Sequence, residues 1–159
     1  MGSGHFSGNP RTEWLSGDAG DRGMRLVEPF WYADPQGRQW HAPAGSAIDG
    51  ATIPRTLWAS VGSPYTGPYR RASIVHDVAI RDRLVVRAEA DAMFYHACLA
   101  GGCSARQAGL LYAGVCLGSW LEQSPAARAP AQADAARLPG ELSAGELEVR
   151  ALYTLIAAD

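Results

Sequence analysis

The chain has 159 residues, 47% of them hydrophobic and 19% charged, with a formal net charge of -2. That length suits one domain with one sizeable core. The slight acidity and the lack of a long single-sign run give no sign of a nucleic-acid phosphate footprint, so nucleic acid is not an expected partner.

The start, Met1-Gly2-Ser3-Gly4-His5-Phe6, is neither basic nor followed by an apolar core. No cleavable leader is expected, and the chain reads as cytoplasmic at synthesis, with export by a machine that needs no such leader left open. No apolar run reaches the roughly twenty residues that cross a bilayer, so no transmembrane segment is expected.

The first third reads as strand and turn. Ser16 to Gly23 is a loop, and Met24 to Val27 begins a strand. The aromatic-rich run Glu28 to Ala33 is followed by Asp34-Pro35-Gln36-Gly37 and then by Arg38-Gln39-Trp40-His41-Ala42. Proline second and glycine fourth is type I turn chemistry, which predicts a hairpin. Pro43-Ala44-Gly45 makes another turn before Ser46-Ala47-Ile48.

From Pro54 the texture becomes helical. Proline at a first helical position loses no needed hydrogen bond, so Pro54 can open a short helix through Val61. After the loop Gly62 to Pro68, the pattern predicts a helix from about Tyr69 to Arg81. A turn near Asp82–Val85 leads to a second helix, which the Gly101-Gly102 pair stops. Ser104 caps a third helix, largely buried through Leu110, Leu111, Val115, Leu117 and Trp120.

Residues 124–140, rich in Ala and Pro, read as a linker. A last helix opens at Ser143 with Glu146 three residues on, a capping-box pattern. Its Leu147, Val149, Leu152, Leu155 and Ile156 need a surface, either the main body or a partner chain. The fold class is therefore α+β: an N-terminal β-hairpin or small antiparallel sheet, then a helical half with an antiparallel helix pair. The organisation is one domain over 1–123, a linker over 124–140 and a C-terminal helix over 141–159.

Cys98, Cys103 and Cys116 form no CxxC pair and no Cys-His cluster at zinc spacing. They read as buried, small apolar thiols. A Cys98–Cys103 link across the helix-helix turn is conceivable, with nothing in the sequence to support it.

Several segments, in order, resemble the bacterial and phage-borne family catalogued as domain of unknown function 1353. They are Gly4-His5-Phe6-Ser7-Gly8, Asp49-Gly50-Ala51-Thr52-Ile53-Pro54-Arg55, and Gly62-Ser63-Pro64 leading into Tyr69-Arg70-Arg71-Ala72. Val75-His76-Asp77 and Met93-Phe94-Tyr95-His96-Ala97 complete the set, and the likeness covers about residues 4 to 121. The resemblance implies no settled activity. After the His-Asp pair the family often carries an aromatic or Cys, where Ala79 and Ile80 stand here. If chemistry needs that residue, this member is impaired or differently tuned.

His76 and Asp91 fall on the apolar stripes of consecutive helices, where charge is costly unless it is partnered or used. If those helices turn back near Arg83, the two side chains can meet across the hairpin. A carboxylate facing one imidazole nitrogen fixes the tautomer and leaves the other nitrogen to take a proton from water. Asp77 points to another side of the first helix, where it could hold a hard cation or a substrate group.

That layout is similar to the secreted phospholipase A2 family. The resemblance implies His76 as base, Asp91 as its orienter and Asp77 as a calcium ligand, with loop carbonyls from the region Trp58 to Pro68. Calcium bound there could polarise an ester carbonyl. That family's glycine-dense, cysteine-framed calcium loop and its disulfide scaffold are absent from this sequence.

Asp49 is a second candidate ligand, since with Asp77 and Asp91 it would complete a carboxylate and imidazole cluster suited to a divalent ion. The alternative is a local Asx-type turn capping Thr52. No GxSxG elbow, P-loop, Rossmann fingerprint or HExxH occurs, and Ser73 on a helix lacks an elbow's exposure.

Two functions follow as expectations. One is a hydrolase that activates water, in its sharpest form a calcium-assisted ester or lipid hydrolase. The other is a non-catalytic module of phage tails or secretion systems, with a structural His-Asp pair and Trp31, Tyr32 and Trp40 as a docking face. An open cleft at His76 and Asp91 favours the first, and a sealed pair favours the second.

Overall fold

The computed structural model describes residues 2–16, 23–48 and 66–122, with side chains to residue 116. Asp49, the helix expected from Pro54, the linker and the helix from Ser143 lie outside the described residues. Among the described residues six short strands precede three helices, so the α+β class is correct.

The strands are β1 His5–Phe6, β2 Thr12–Leu15, β3 Gly23–Leu26, β4 Phe30–Ala33, β5 Gln39–Ala42 and β6 Ala47–Ile48. They form two antiparallel three-stranded sheets, ordered β1-β4-β5 and β2-β3-β6.

The hairpin turns where expected, with Phe30 opposite Ala42, Trp31 opposite His41 and Tyr32 opposite Trp40. Asp34 organises its tip. Its carbonyl accepts from Gly37 N at 2.9 Å, and its Oδ1 accepts from the amides of Gln36 and Arg38 at 3.0 and 2.9 Å. Oδ2 takes the indole N–H of Trp40 at 3.1 Å. Gly37 has φ 84°, a conformation open to glycine at little steric cost.

Alternation along these strands sends Phe30, Tyr32, Trp40 and Ala42 into the core and leaves His41 outside. Tyr32 and Trp40 are therefore not part of a docking face. Of the three aromatics proposed for one, Trp31 alone is partly exposed.

Helix α1 spans Arg70–Arg81, α2 Arg87–Ala100 and α3 Ala105–Glu122. Helix α1 packs on β4, β5 and β6 with one side and on α2 with the other, and α2 in turn packs on α3. Eight consecutive residues of α1, Ala72 to Ala79, are buried, because this helix is covered by sheet and helix together. The core joins Met24, Leu26, Tyr32 and Trp40 to Ile74, Val75, Val78, Phe94 and Leu111. Each such side chain contributes about 1.5–3 kcal/mol by leaving water.

Helices α1 and α2 end alike. Leu84 N bonds Ala79 O at 3.1 Å and Arg83 N bonds Ile80 O at 3.2 Å, while Cys103 N bonds Cys98 O at 3.0 Å and Gly102 N bonds Leu99 O at 3.1 Å. This is the Schellman pattern, with Arg83 at φ 50° and Gly102 at φ 102° supplying the left-handed residue. The first of these turns reverses the chain into α2. The second is followed by the expected cap of α3, in which Ser104 Oγ accepts from Gln107 N at 3.1 Å.

Candidate functional site

The reversal at Arg83 brings His76 on α1 and Asp91 on α2 together. His76 Nε2 lies 2.7 Å from Asp91 Oδ1. The pair is deeply buried, with His76 0% and Asp91 3% exposed. Phe94, one turn beyond Asp91, packs its ring 4.7 Å from the imidazole at a tilt of 40°.

Two further groups converge on the same carboxylate. Arg87 Nε donates to Asp91 Oδ1 at 3.2 Å, and its other arm donates from Nη2 to Val115 O on α3 at 3.3 Å. Cys116, also on α3, turns its Sγ to Asp91 Oδ2 at 3.8 Å. Asp91 is thus the point where side chains of α1, α2 and α3 meet. Arg87 to Asp91 is an i,i+4 pair, a helical spacing that could have marked it in the sequence. Nothing in the sequence marked Cys116, whose approach depends on how α3 docks.

A ring N–H at Nε2 would meet an acceptor in Asp91, and one at Nδ1 would meet none among the described residues. Arg87 supplies the positive charge that balances the Asp91 carboxylate, so the imidazole need not carry one. A neutral imidazole has one N–H, and a carboxylate at Nε2 favours the tautomer that carries it there. That leaves Nδ1 as a bare lone pair. His76 Nδ1 is buried and has no hydrogen-bond partner among the described residues. Were the ring doubly protonated, Nδ1–H would be a buried donor without an acceptor, a cost of about 1–3 kcal/mol. The site therefore holds an imidazole oriented at Nε2 by a carboxylate, with Nδ1 buried and unpartnered among the described residues.

Asp77 is buried at 4% exposure and has interactions of its own. Its expected companion Asp49 lies outside the described residues. Among the described residues, no three His, Cys, Asp or Glu side chains gather as a metal group. Ser73 is 1% exposed and its hydroxyl donates back to Tyr69 O at 3.2 Å, which suits a helix-packing role and no nucleophile. No helix among the described residues is long and apolar enough to cross a membrane.

The family described as "Protein of unknown function (DUF1353)" matches residues 24–115, more than half of the chain. The uncharacterized protein y4jT of Sinorhizobium fredii (strain NBRC 101917 / NGR234) is 33% identical over 110 residues, which cover 69% of this chain and 32% of that protein. The uncharacterized protein y4iH of the same organism is 35% identical over 159 residues, covering 90% of this chain and 66% of that protein. The chain thus spans about a third of the first relative and 66% of the second. No solved structure matches it.

Proposed function

Since the chain belongs to DUF1353, a family of unknown function, we propose from its geometry that His76 is a general base, oriented by Asp91, in a hydrolase that activates water. The observation that carries this reading is the buried Nδ1, unpartnered among the described residues, opposite an Nε2 held at 2.7 Å by a carboxylate. A buried polar atom left without a partner calls for an explanation, and a small polar molecule such as water would supply one. Water hydrogen-bonded to Nδ1 would lose its proton to that nitrogen as it attacked, and Asp91 with Arg87 would stabilise the imidazolium that results.

An ester or lipid substrate is the sharpest form of the reading, and it rests only on the sequence resemblance of the His-Asp pair to phospholipase A2. The calcium-assisted version needs Asp77 and Asp49 together. Water activation is therefore argued on His76, Asp91 and Arg87 alone.

A second reading has its own observation. His76 at 0% and Asp91 at 3% exposure form a sealed pair, which favours a structural tie between helices in a non-catalytic module. That tie accounts for Nε2, Arg87 and Cys116. It leaves Nδ1 unexplained.

The test is hydrolysis of a panel of esters and phospholipids by the purified protein and by His76→Ala and Asp91→Asn, with a denaturant midpoint recorded for each. Turnover is expected in the parent and a loss of about 10²–10⁴-fold in both variants. No turnover by the parent across the panel, or undiminished turnover in both folded variants, contradicts the proposal.

A further inference from the structure

In a Schellman motif the third residue from the helix end faces the second residue past it, and the two are ordinarily an apolar pair. At the end of α1 these positions hold Ala79 and Leu84, which fit that habit. At the end of α2 they hold Cys98 and Cys103. The 3.0 Å bond from Cys103 N to Cys98 O keeps the two Cα atoms within about 7 Å, inside the range a disulfide bridges. Both are present as buried thiols, Cys98 at 0% and Cys103 at 7% exposure. The turn that makes this contact is fixed from outside as well. A Cβ at Gly101 would fall 2.3 Å from Pro68 O, so the backbone before α1 lies hard against the turn.

We propose that Cys98 and Cys103 are a redox dithiol, a modification site that closes to an intramolecular disulfide when the protein meets a hydroperoxide. Cys103 is the attacking thiol. Hydrogen bonding from Cys98 holds it below the ordinary cysteine value, against the opposing effect of its burial. Burial pushes the Cys98 thiol well up, so it stays protonated until its neighbour has reacted. The Cys103 thiolate attacks a peroxide oxygen, the O–O bond breaks, and a sulfenic acid forms as hydroxide leaves and takes up a proton. Cys98 then attacks that sulfur, forming the S–S bond and releasing water with its own proton. Two thiols and one hydrogen peroxide give one disulfide and two waters. Cys116, on α3 beside Asp91, lies outside this pair and serves as the internal control.

The experiment treats the folded, reduced protein with hydrogen peroxide, quenches it, unfolds it, alkylates free thiols and maps tryptic peptides by mass. Cys98 and Cys103 share the peptide Ala88 to Arg106, while Cys116 falls in the next. The expected result is a Cys98/Cys103 peptide two hydrogens lighter and carrying no alkyl group, with Cys116 still alkylated. Dithiothreitol should restore both labels. The Cys98→Ala protein, treated identically, should stop at a sulfenic acid on Cys103. Retention of both alkyl groups in the wild-type peptide, sulfinic acid without loss of two hydrogens, or linkage to Cys116 would overturn the proposal.

Discussion

Asp91→Ala is expected to lower folding stability by about 3–5 kcal/mol, the cost of breaking a buried polar pair from one side. The loss falls mainly on His76. Its imidazole is 0% exposed and would keep an Nε2–H with no acceptor, beside an Nδ1 that already lacks a partner among the described residues. Arg87 suffers less, because its side chain is 24% exposed and retains the Val115 carbonyl. Asp91→Asn preserves an acceptor for Nε2–H but removes the charge opposite Arg87, so roughly 1–2 kcal/mol is expected.

The informative comparison is the paired replacement, His76→Leu with Asp91→Leu. Removing both partners leaves no orphan from the dyad, so the double variant should recover about 1–3 kcal/mol against the sum of the single costs. Urea midpoints of the four proteins measure that coupling. Strictly additive losses would contradict a direct His76–Asp91 bond. The same double variant separates the two readings of function: a structural tie replaced by packed leucines keeps what the module does, whereas a hydrolase loses turnover altogether.

The second large effect is alkaline instability. Tyr32 and Tyr69 are both 0% exposed, and burial pushes each phenol well above its ordinary value near 10. Nearby Asp34 and Cys98 add to this at Tyr32, and Cys98 and Cys103 add to it at Tyr69. In the unfolded chain both phenols release protons above about pH 10, while in the folded protein they stay protonated. The unfolded state then binds fewer protons, so stability falls as pH rises. It is fully present below about pH 10 and is lost as pH climbs toward the raised folded values. Each phenol contributes a slope of about 1.4 kcal/mol per pH unit within that window. Tyr32→Phe and Tyr69→Phe together should flatten the slope by about 2.7 kcal/mol per pH unit, with the cysteines common to both proteins. An unchanged slope in the double variant would show that these phenols are not the cause.

The helical half was legible because its signals are local. Ser104 before an apolar run and Gly101-Gly102 after one mark where α3 begins and α2 ends, and the 3.6-residue stripes through His76 and Asp91 mark the buried faces of α1 and α2. Since α1 and α2 are joined by a short turn, residues equally far from that turn face each other, which is why His76 and Asp91 could be paired in advance. The hairpin was legible for the same reason, through the Asp34-Pro35-Gln36-Gly37 turn.

The division into two sheets was not. Strands β1 and β6 have two residues each, too few to show a period, and their pairing with β4 and β3 is long-range. The role of Cys116 depends on the docking of α3. The sealing of the pair depends on what covers both α1 and α2, a property of packing. Sequence pattern named the two groups that meet, and tertiary contact added Arg87 and Cys116 and withdrew the exposure.

Both functional readings share the His76–Asp91 contact, and they part at Nδ1. Nitrogen NMR of ring-labelled histidine reads it directly, with the signal of His76 among the chain's 4 histidines assigned by its loss in His76→Ala. In mildly alkaline buffer the account predicts one protonated nitrogen at Nε2 and one bare nitrogen at Nδ1. A proton on Nδ1, whether from the opposite tautomer or from a doubly protonated ring, would leave no base to activate water and would contradict the account.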